Sequence, residues 1–244
     1  MFKKGPKSLE KHCKENPIDY WGYAIQGAIY RELVRQQTGK LLPFVLAITT
    51  KEKVPSKALV RIDDDDLDNA YKIISSKTNN LYAIINLAGI FLMESIIEGS
   101  KEDLDRIIKV NFFGMYNVNR TLFDLLNKDS RIINMASEIA IYSPQPFMAY
   151  YAITKKMVDC YSDVLRRECN YIGIKVIKLL SGSINTPMLS KANKEYDLMI
   201  NSTKYFKGPL STLKHMMDKE LKKTNDPMII ANKISKILAL KKPK

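Results

Sequence analysis

Arg131-Ile-Ile-Asn-Met-Ala-Ser137 is a short apolar run that ends in small and polar residues. It reads as a buried strand with a hydroxyl at its C-terminal end. Leu81 to Ile85 is a second run of this kind, followed directly by Asn86-Leu-Ala-Gly89. Residues 41–48, 58–62 and 174–180 supply further strands. Helical spacing of apolar residues covers 23–37, 67–76, 147–171 and a long stretch through Asn111 that opens on the capping-box pattern Ser100-Lys-Glu-Asp103. Asp226-Pro227 opens a last helix, with Pro in its first turn. Strands alternating with helices argue for a parallel sheet covered on both faces, an α/β fold. Ligands in such sheets bind at the C-terminal ends of the strands, which puts Ser137 and the 86–89 turn where chemistry is expected.

Tyr151-Ala-Ile-Thr-Lys155 sharpens that expectation. At a spacing of four on a helix, the phenol and the ammonium project from one face. A nearby cation favours the phenolate and lowers a tyrosine pKa from its usual value of about 10. Such a phenol can trade a proton with an alcohol or a carbonyl. Tyr150 has Thr154 four residues on, so only Tyr151 has the cationic partner, and Lys156 lies off that face. Taken alone the pair is common on solvated helices, Ser137 could simply satisfy backbone, and Asn111 could bond within its own turn.

In order along the chain, Asn86-Leu-Ala-Gly89, Val110-Asn111-Phe-Phe-Gly114, Ser137 and Tyr151-x-x-x-Lys155 resemble the motifs of the short-chain dehydrogenase/reductase family, from about residue 81 to 188. The run Tyr161-Ser-Asp-Val-Leu-Arg-Arg-Glu168, followed by Gly173-Ile-Lys-Val-Ile177, resembles the branch acting on retinol, hydroxysteroids and 3-hydroxybutyrate. The resemblance implies a Rossmann-like doubly wound parallel sheet in a single domain. It implies an NAD(P)(H)-dependent oxidoreductase that interconverts an alcohol and a carbonyl on a small or lipid-like substrate of retinoid, steroid or hydroxy-acid type.

The same resemblance assigns roles residue by residue. Asn111, Ser137, Tyr151 and Lys155 form the catalytic tetrad: Tyr151 as acid/base, Ser137 orienting and polarising the substrate oxygen, Lys155 tuning the phenol and holding the nicotinamide ribose, Asn111 anchoring a water. Asp63 matches the acid beside adenine, and Asn86, Ala88 and Gly89 the turn beside the adenosine ribose. Leu180-Ser181-Gly182 with Thr186 matches the segment that cradles nicotinamide, with Ser181 in the place of a proline. Thr49-Thr50-Lys51-Glu52-Lys53 suits a 2′-phosphate better than free ribose hydroxyls, which favours NADP(H) over NAD(H). Phe147, Met148 and Met188 are candidate substrate contacts beside Ser137, although the same residues would also pack an ordinary core. The family often forms dimers or tetramers, so a homo-oligomer is expected, through helices like those at 101–127 and 148–171.

One departure stands out. The glycine-rich fingerprint that lets a helix N-terminus approach pyrophosphate is missing. Tyr20, Ala24 and Gln26 fall where its glycines belong, with Gly22 and Gly27 out of register. The strand before it would fall on residues 13–20, which carry charges and Pro17. A central parallel strand is apolar on both faces and needs every ladder donor. In the family this strand sits mid-sheet, between those here at 41–48 and 81–86. The first strand and the last edge strand are thus poorly represented. The sequence is compatible with a re-routed phosphate loop, with a non-catalytic family member acting as a binding or scaffold protein, and with an incomplete gene product.

Composition bounds the remainder. The 244 residues fit one core-bearing domain, with 1–17 a polar segment, 18–244 the Rossmann-like domain and 187–225 a lobe over the substrate pocket. No apolar run is long enough for a transmembrane helix, and the start lacks a secretory h-region. Cys13, Cys160 and Cys169 read as free thiols in a reducing compartment, and the expected location is cytoplasmic. Only two histidines are present and no metal is expected. Of the net charge of +13, most sits at the ends: residues 191–244 hold 13 lysines against five acids. That lobe suits a solvated surface or peripheral contact with anionic lipid. No nucleic-acid motif accompanies the charge.

Overall fold

Among the described residues the sheet has four parallel strands in the spatial order β1 (Val45–Leu46), β2 (Leu81–Asn86), β3 (Leu126–Met135), β4 (Lys175–Leu179). The computed structural model describes residues 45–46, 64–76, 78–220 and 224–240. The expected elements at 13–20, 23–37 and 58–62, the displaced glycines and Asp63 lie outside the described residues.

Helix α1 (Asp64–Ser75) precedes β2. Between β2 and β3 runs one long helical segment in three parts: α2 (Lys101–Ile108), a π-helical turn over Lys109–Phe113, and α3 (Gly114–Leu122). Half of the expected capping box forms: Ser100 Oγ accepts from Asp103 N–H at 3.0 Å, while the Asp103 carboxylate accepts from the Ser100 hydroxyl at 2.9 Å. Helix α4 (Ala149–Tyr171) joins β3 to β4. After β4 come α5 (Pro187–Ser202), α6 (Lys207–Glu220) and α7 (Met228–Ala239). Asp226 Oδ1 accepts from Met228 N–H at 2.7 Å and so starts the last of them.

Strand periodicity sorts the core into two layers. Ile84, Ile132 and Val176 stand in register across β2, β3 and β4. They pack on Leu67 of α1, Val118 and Leu122 of α3 and Cys169 of α4. The next residues along, Ile85, Ile133 and Ile177, point the other way, against Ile234, Ile237 and Leu238 of α7. Each isoleucine sealed on both sides contributes about 2 kcal/mol. Apolar residues on both faces explain why β3 reads as a continuous run, and the two helical layers make the sheet doubly wound.

The order of strands differs from the sequence expectation at one place. Val45 and Leu46 pair directly with Ile84 and Ile85, in parallel. The resemblance puts another strand between those two runs. A ladder position inside a parallel sheet takes uninterrupted donors and apolar side chains.

Candidate active site

The π-helical turn is the local device that builds this site. Its extra residue widens the helix at Lys109–Phe113, and the N–H of Gly114 bonds to the carbonyl of Lys109. Asn111 sits in that turn, 2% exposed, and reaches across to the loop after β2. Its Oδ1 accepts from Ile90 N–H at 2.7 Å. Its Nδ2 donates to Ile90 C=O at 2.9 Å and to Thr154 Oγ1 of α4 at 3.0 Å. Asn111 therefore clasps the 86–90 turn to the helix that carries Tyr151, and it does not bond within its own turn. Gly89 makes the close approach feasible, since a Cβ there would stand 3.3 Å from Asn111 Oδ1 and 3.6 Å from Lys155 Nζ.

Ser137 leaves the end of β3 in extended conformation and caps the short 3-10 turn Glu138–Ala140. Its Oγ accepts from Ile139 N–H at 3.4 Å and donates to Ser181 C=O at 3.2 Å. Its hydroxyl is also hydrogen-bonded to Tyr151, an interaction that lowers the phenol's pKa. The backbone-satisfying role and the site-facing role thus coexist in one side chain. Glu138 N–H bonds to the same Ser181 carbonyl at 3.1 Å. The loop after β4 is thereby tied to the end of β3 through the residue that replaces the family's proline. A Cβ on Gly182 would lie 3.0 Å from Glu138 Oε1. Thr186 precedes α5 and makes no side-chain cap bond to it.

Lys155 is 4% exposed, and its Nζ donates to Met135 C=O at 3.0 Å. It lies 5.6 Å from the centroid of the Tyr151 ring. Burial without a carboxylate pushes the ammonium down to about 8. Burial also pushes the Tyr151 phenol up to about 12, with the Ser137 hydrogen bond pulling the other way. The sequence spacing led to the expectation of a phenol lowered by its cation. In the folded protein the loss of water around the hydroxyl decides the direction, and the only opposing influence is the Ser137 hydroxyl. Tyr150 turns elsewhere, its hydroxyl donating to Ser100 C=O at 3.1 Å, and Lys156 Nζ donates to Ala140 C=O at 3.0 Å.

Asn86 faces inward. Its Nδ2 donates to Asn119 Oδ1 at 2.8 Å and Asn134 Oδ1 at 2.9 Å, and Asn134 passes the chain on to Ser162 at 3.0 Å. The buried amides lock β2 to β3, α3 and α4. Ala88 and Gly89 stay half-buried in the turn itself.

Two of the candidate substrate residues, Phe147 and Met148, fall in one apolar cluster with side chains of α5 and α6. Phe147 packs with Met93, Tyr196, Met199 and Leu210, and Met148 and Phe206 flank them. Met188 is half-buried in the first turn of α5. Phe147 has φ 66°, costly for a bulky residue, and its carbonyl accepts from Glu94 N–H at 2.9 Å. The sequence reading missed Phe91, whose ring centroid lies 4.8 Å from that of Tyr151. It follows Gly89 by two residues but belongs to no periodic pattern. Thr154 was also missed as a site-building residue; it was read only as the wrong partner for Tyr150.

The residues present fit a nicotinamide nucleotide on this side of the sheet. The Lys155 ammonium bonds to one carbonyl among the described residues, which leaves donors for sugar hydroxyls. Gly89 exposes backbone beside it, and the Thr186 hydroxyl is uncommitted to its helix. Asn86 spends its Nδ2 on Asn119 and Asn134, and its buried Oδ1 has no partner among the described residues.

The family model of short chain dehydrogenases matches residues 36–197. The chain is 28% identical over 144 residues to the NADPH-dependent 1-acyldihydroxyacetone phosphate reductase of Schizosaccharomyces pombe, covering 58% of this chain and 48% of that protein. It is 33% identical over 126 residues to 17-beta-hydroxysteroid dehydrogenase type 6 of Rattus norvegicus, covering 51% and 38%. The chain thus spans less than half the length of these curated relatives. A solved short chain dehydrogenase family protein from Francisella tularensis superposes with a TM-score of 0.58 at 18% identity, over 70% of this chain and 67% of that one, and shares the fold.

Proposed function

Because the chain belongs to the short chain dehydrogenase family, we propose that it interconverts an alcohol and a carbonyl on a lipid-like substrate, with NADP(H) favoured over NAD(H). The observation that carries this reading is the meeting of Ser137, Tyr151 and Lys155 beside Gly89 at the C-terminal end of the sheet. The nucleotide, when bound, supplies or accepts the hydride. In the reductive direction Tyr151 gives its hydroxyl proton to the carbonyl oxygen as the carbon gains the hydride, and the C=O π bond becomes C–O–H. Ser137 turns its one O–H from the Ser181 carbonyl to that oxygen as negative charge builds on it. A phenol held near 12 keeps its proton at neutral pH, which suits it as the donor. Lys155 positions the sugar and, at about 8, is poised to return the proton.

Phe91, Met93, Phe147 and Met148 support an apolar substrate, as do the lipid and steroid names of the relatives. Thr49, Thr50, Lys51 and Lys53, with the NADPH dependence named for the fission yeast relative, support NADP(H). The free thiols Cys160 and Cys169 support a reducing, cytoplasmic setting. Phe113 of the π-helical turn, half-exposed beside Phe112, which packs on Tyr116 of α3 and Tyr161 of α4, supports a homo-oligomer through those helices.

Reduction of a carbonyl panel with either cofactor tests the proposal. Tyr151→Phe is expected to lower the rate by about 10²–10⁴-fold, and retained activity would refute the role. A second reading, a binding protein without redox activity, is favoured by the direct pairing of β1 with β2, where the family seats the strand leading into its glycine turn. Saturable NADPH binding by fluorescence counts against it; a folded chain that binds none supports it.

A further inference from the structure

Residues 95–99 form a turn that thrusts two isoleucines outward. Ser95 Oγ accepts from the N–H groups of Ile97 and Glu98, each at 3.2 Å, and Gly99 N–H bonds to Ser95 C=O at 2.8 Å. A Cβ on Gly99 would stand 2.7 Å from both the Ser95 carbonyl and the Tyr150 hydroxyl. The base of the turn is therefore pressed against α4, and its tip is Ile96 and Ile97, 63% and 72% exposed. The turn spends hydrogen bonds and a glycine on presenting apolar surface to the outside.

Glu98 joins a second segment to this tip. Its carboxylate accepts from Thr203 Oγ1 at 2.6 Å and from the N–H groups of Lys204 at 2.7 Å and Tyr205 at 3.2 Å. The bonds dock the α5–α6 connection beside the turn and occupy the Glu98 carboxylate. Tyr205 is 61% exposed there, with Lys204 Nζ 4.9 Å above its ring, and Lys207 is exposed at the start of α6. Isoleucines, a tyrosine and lysines on one rim combine the parts of an interfacial anchor. Apolar tips reach the acyl boundary, tyrosine sits at headgroup depth, and lysine stems snorkel to phosphate. The rim adjoins the apolar cluster through Glu94 and Phe147. No described helix is long and apolar enough to cross a membrane.

We propose that Ile96, Ile97 and Tyr205, flanked by Lys204 and Lys207, dock the protein on an anionic lipid surface. The excess of lysine over acid in residues 191–244 gives the charge complementarity that favours this occupant. The inference stands on its own contacts, independently of the redox reading.

The test is co-sedimentation of the full chain with vesicles of phosphatidylcholine and phosphatidylserine at roughly 7:3, against phosphatidylcholine alone. The chain is expected to pellet with the anionic vesicles only. Ile96→Ser with Ile97→Ser is expected to lower the partition coefficient at least about tenfold. Lys204→Gln and Lys207→Gln are expected to lower it about fivefold each. All four side chains are exposed, so circular dichroism should stay unchanged. A wild-type chain left in the supernatant, or a double isoleucine variant that pellets like wild type, overturns the proposal. So does a double variant that alters only the sedimentation velocity of the free protein, which assigns the rim to a second copy. Vesicle binding does not require turnover, so failure here leaves the redox reading standing, and the reverse also holds.

Discussion

Replacing Lys155 by methionine should stabilise the protein at neutral pH. The ammonium is 4% exposed, donates to a single carbonyl among the described residues and has burial as the cause of its shift. The gap between about 8 in the fold and 10.5 for an ordinary lysine corresponds to about 3 kcal/mol. Methionine fills nearly the same volume and carries no charge, but it forfeits the bond to Met135 C=O, a loss of about 1 kcal/mol. The net expectation is a gain of about 2 kcal/mol at neutral pH. The sign reverses the usual lysine case. Between about 8 and 10.5 the unfolded chain holds a proton that the folded chain has released, so wild-type stability rises with pH there. The advantage of Lys155→Met should therefore fade across that window, as other groups cancel in the difference. Urea unfolding of both proteins over a pH series reads this from the midpoints. A variant less stable than wild type at neutral pH, or a difference flat in pH, would show that the buried ammonium is compensated. Lysine kept at this cost is the pattern of a residue retained for chemistry.

The remaining predictions concern the supports of the site. Asn111→Ala leaves Ile90 with two unmet backbone groups and should cost about 3 kcal/mol, while Thr154→Val should cost about 1; a double-mutant cycle should show coupling of about 1 kcal/mol, and strict additivity would remove the clasp from the account. Gly99→Ala forces a methyl into contact with Ser95 and Tyr150 and should lower stability by about 1–3 kcal/mol, read by thermal melting. Glu98 is held below the ordinary carboxylate range, first by the Thr203 hydrogen bond and then by the N–H groups of Lys204 and Tyr205. Its clasp should be complete above the ordinary carboxylate pKa and lost as pH falls through the lower folded value. Hydrogen exchange at the Lys204 amide should follow that acid step, and Glu98→Gln should abolish it. Peptide mapping after alkylation at neutral pH should find Cys160 modified and Cys169 intact, since burial pushes the Cys169 thiol up to about 11.

Much of this molecule was legible in one dimension. The apolar runs at 81–86 and 131–135 are strands because alternate residues are sealed on both faces, and a period of two survives in any context that buries them. The spacing of Tyr151 and Lys155 puts both on one face of α4 because helix geometry is local. The order Asn111, Ser137, Tyr151, Lys155 pointed to a site through its resemblance to the family's motifs, before any contact was known. Three-dimensional contacts settled the rest. That Val45–Leu46 pairs directly with Ile84 and Ile85 is a contact between distant parts of the chain, which neither run announces. That Asn111 clasps Ile90 to Thr154 depends on a π-helical turn that no propensity announces, and the inward turn of Asn86 depends on amides contributed by β3 and α3. The pKa values of Tyr151 and Lys155 follow the water that the fold removes, because electrostatics is set by the whole surrounding volume, whereas helix and strand periods are set by near neighbours along the chain.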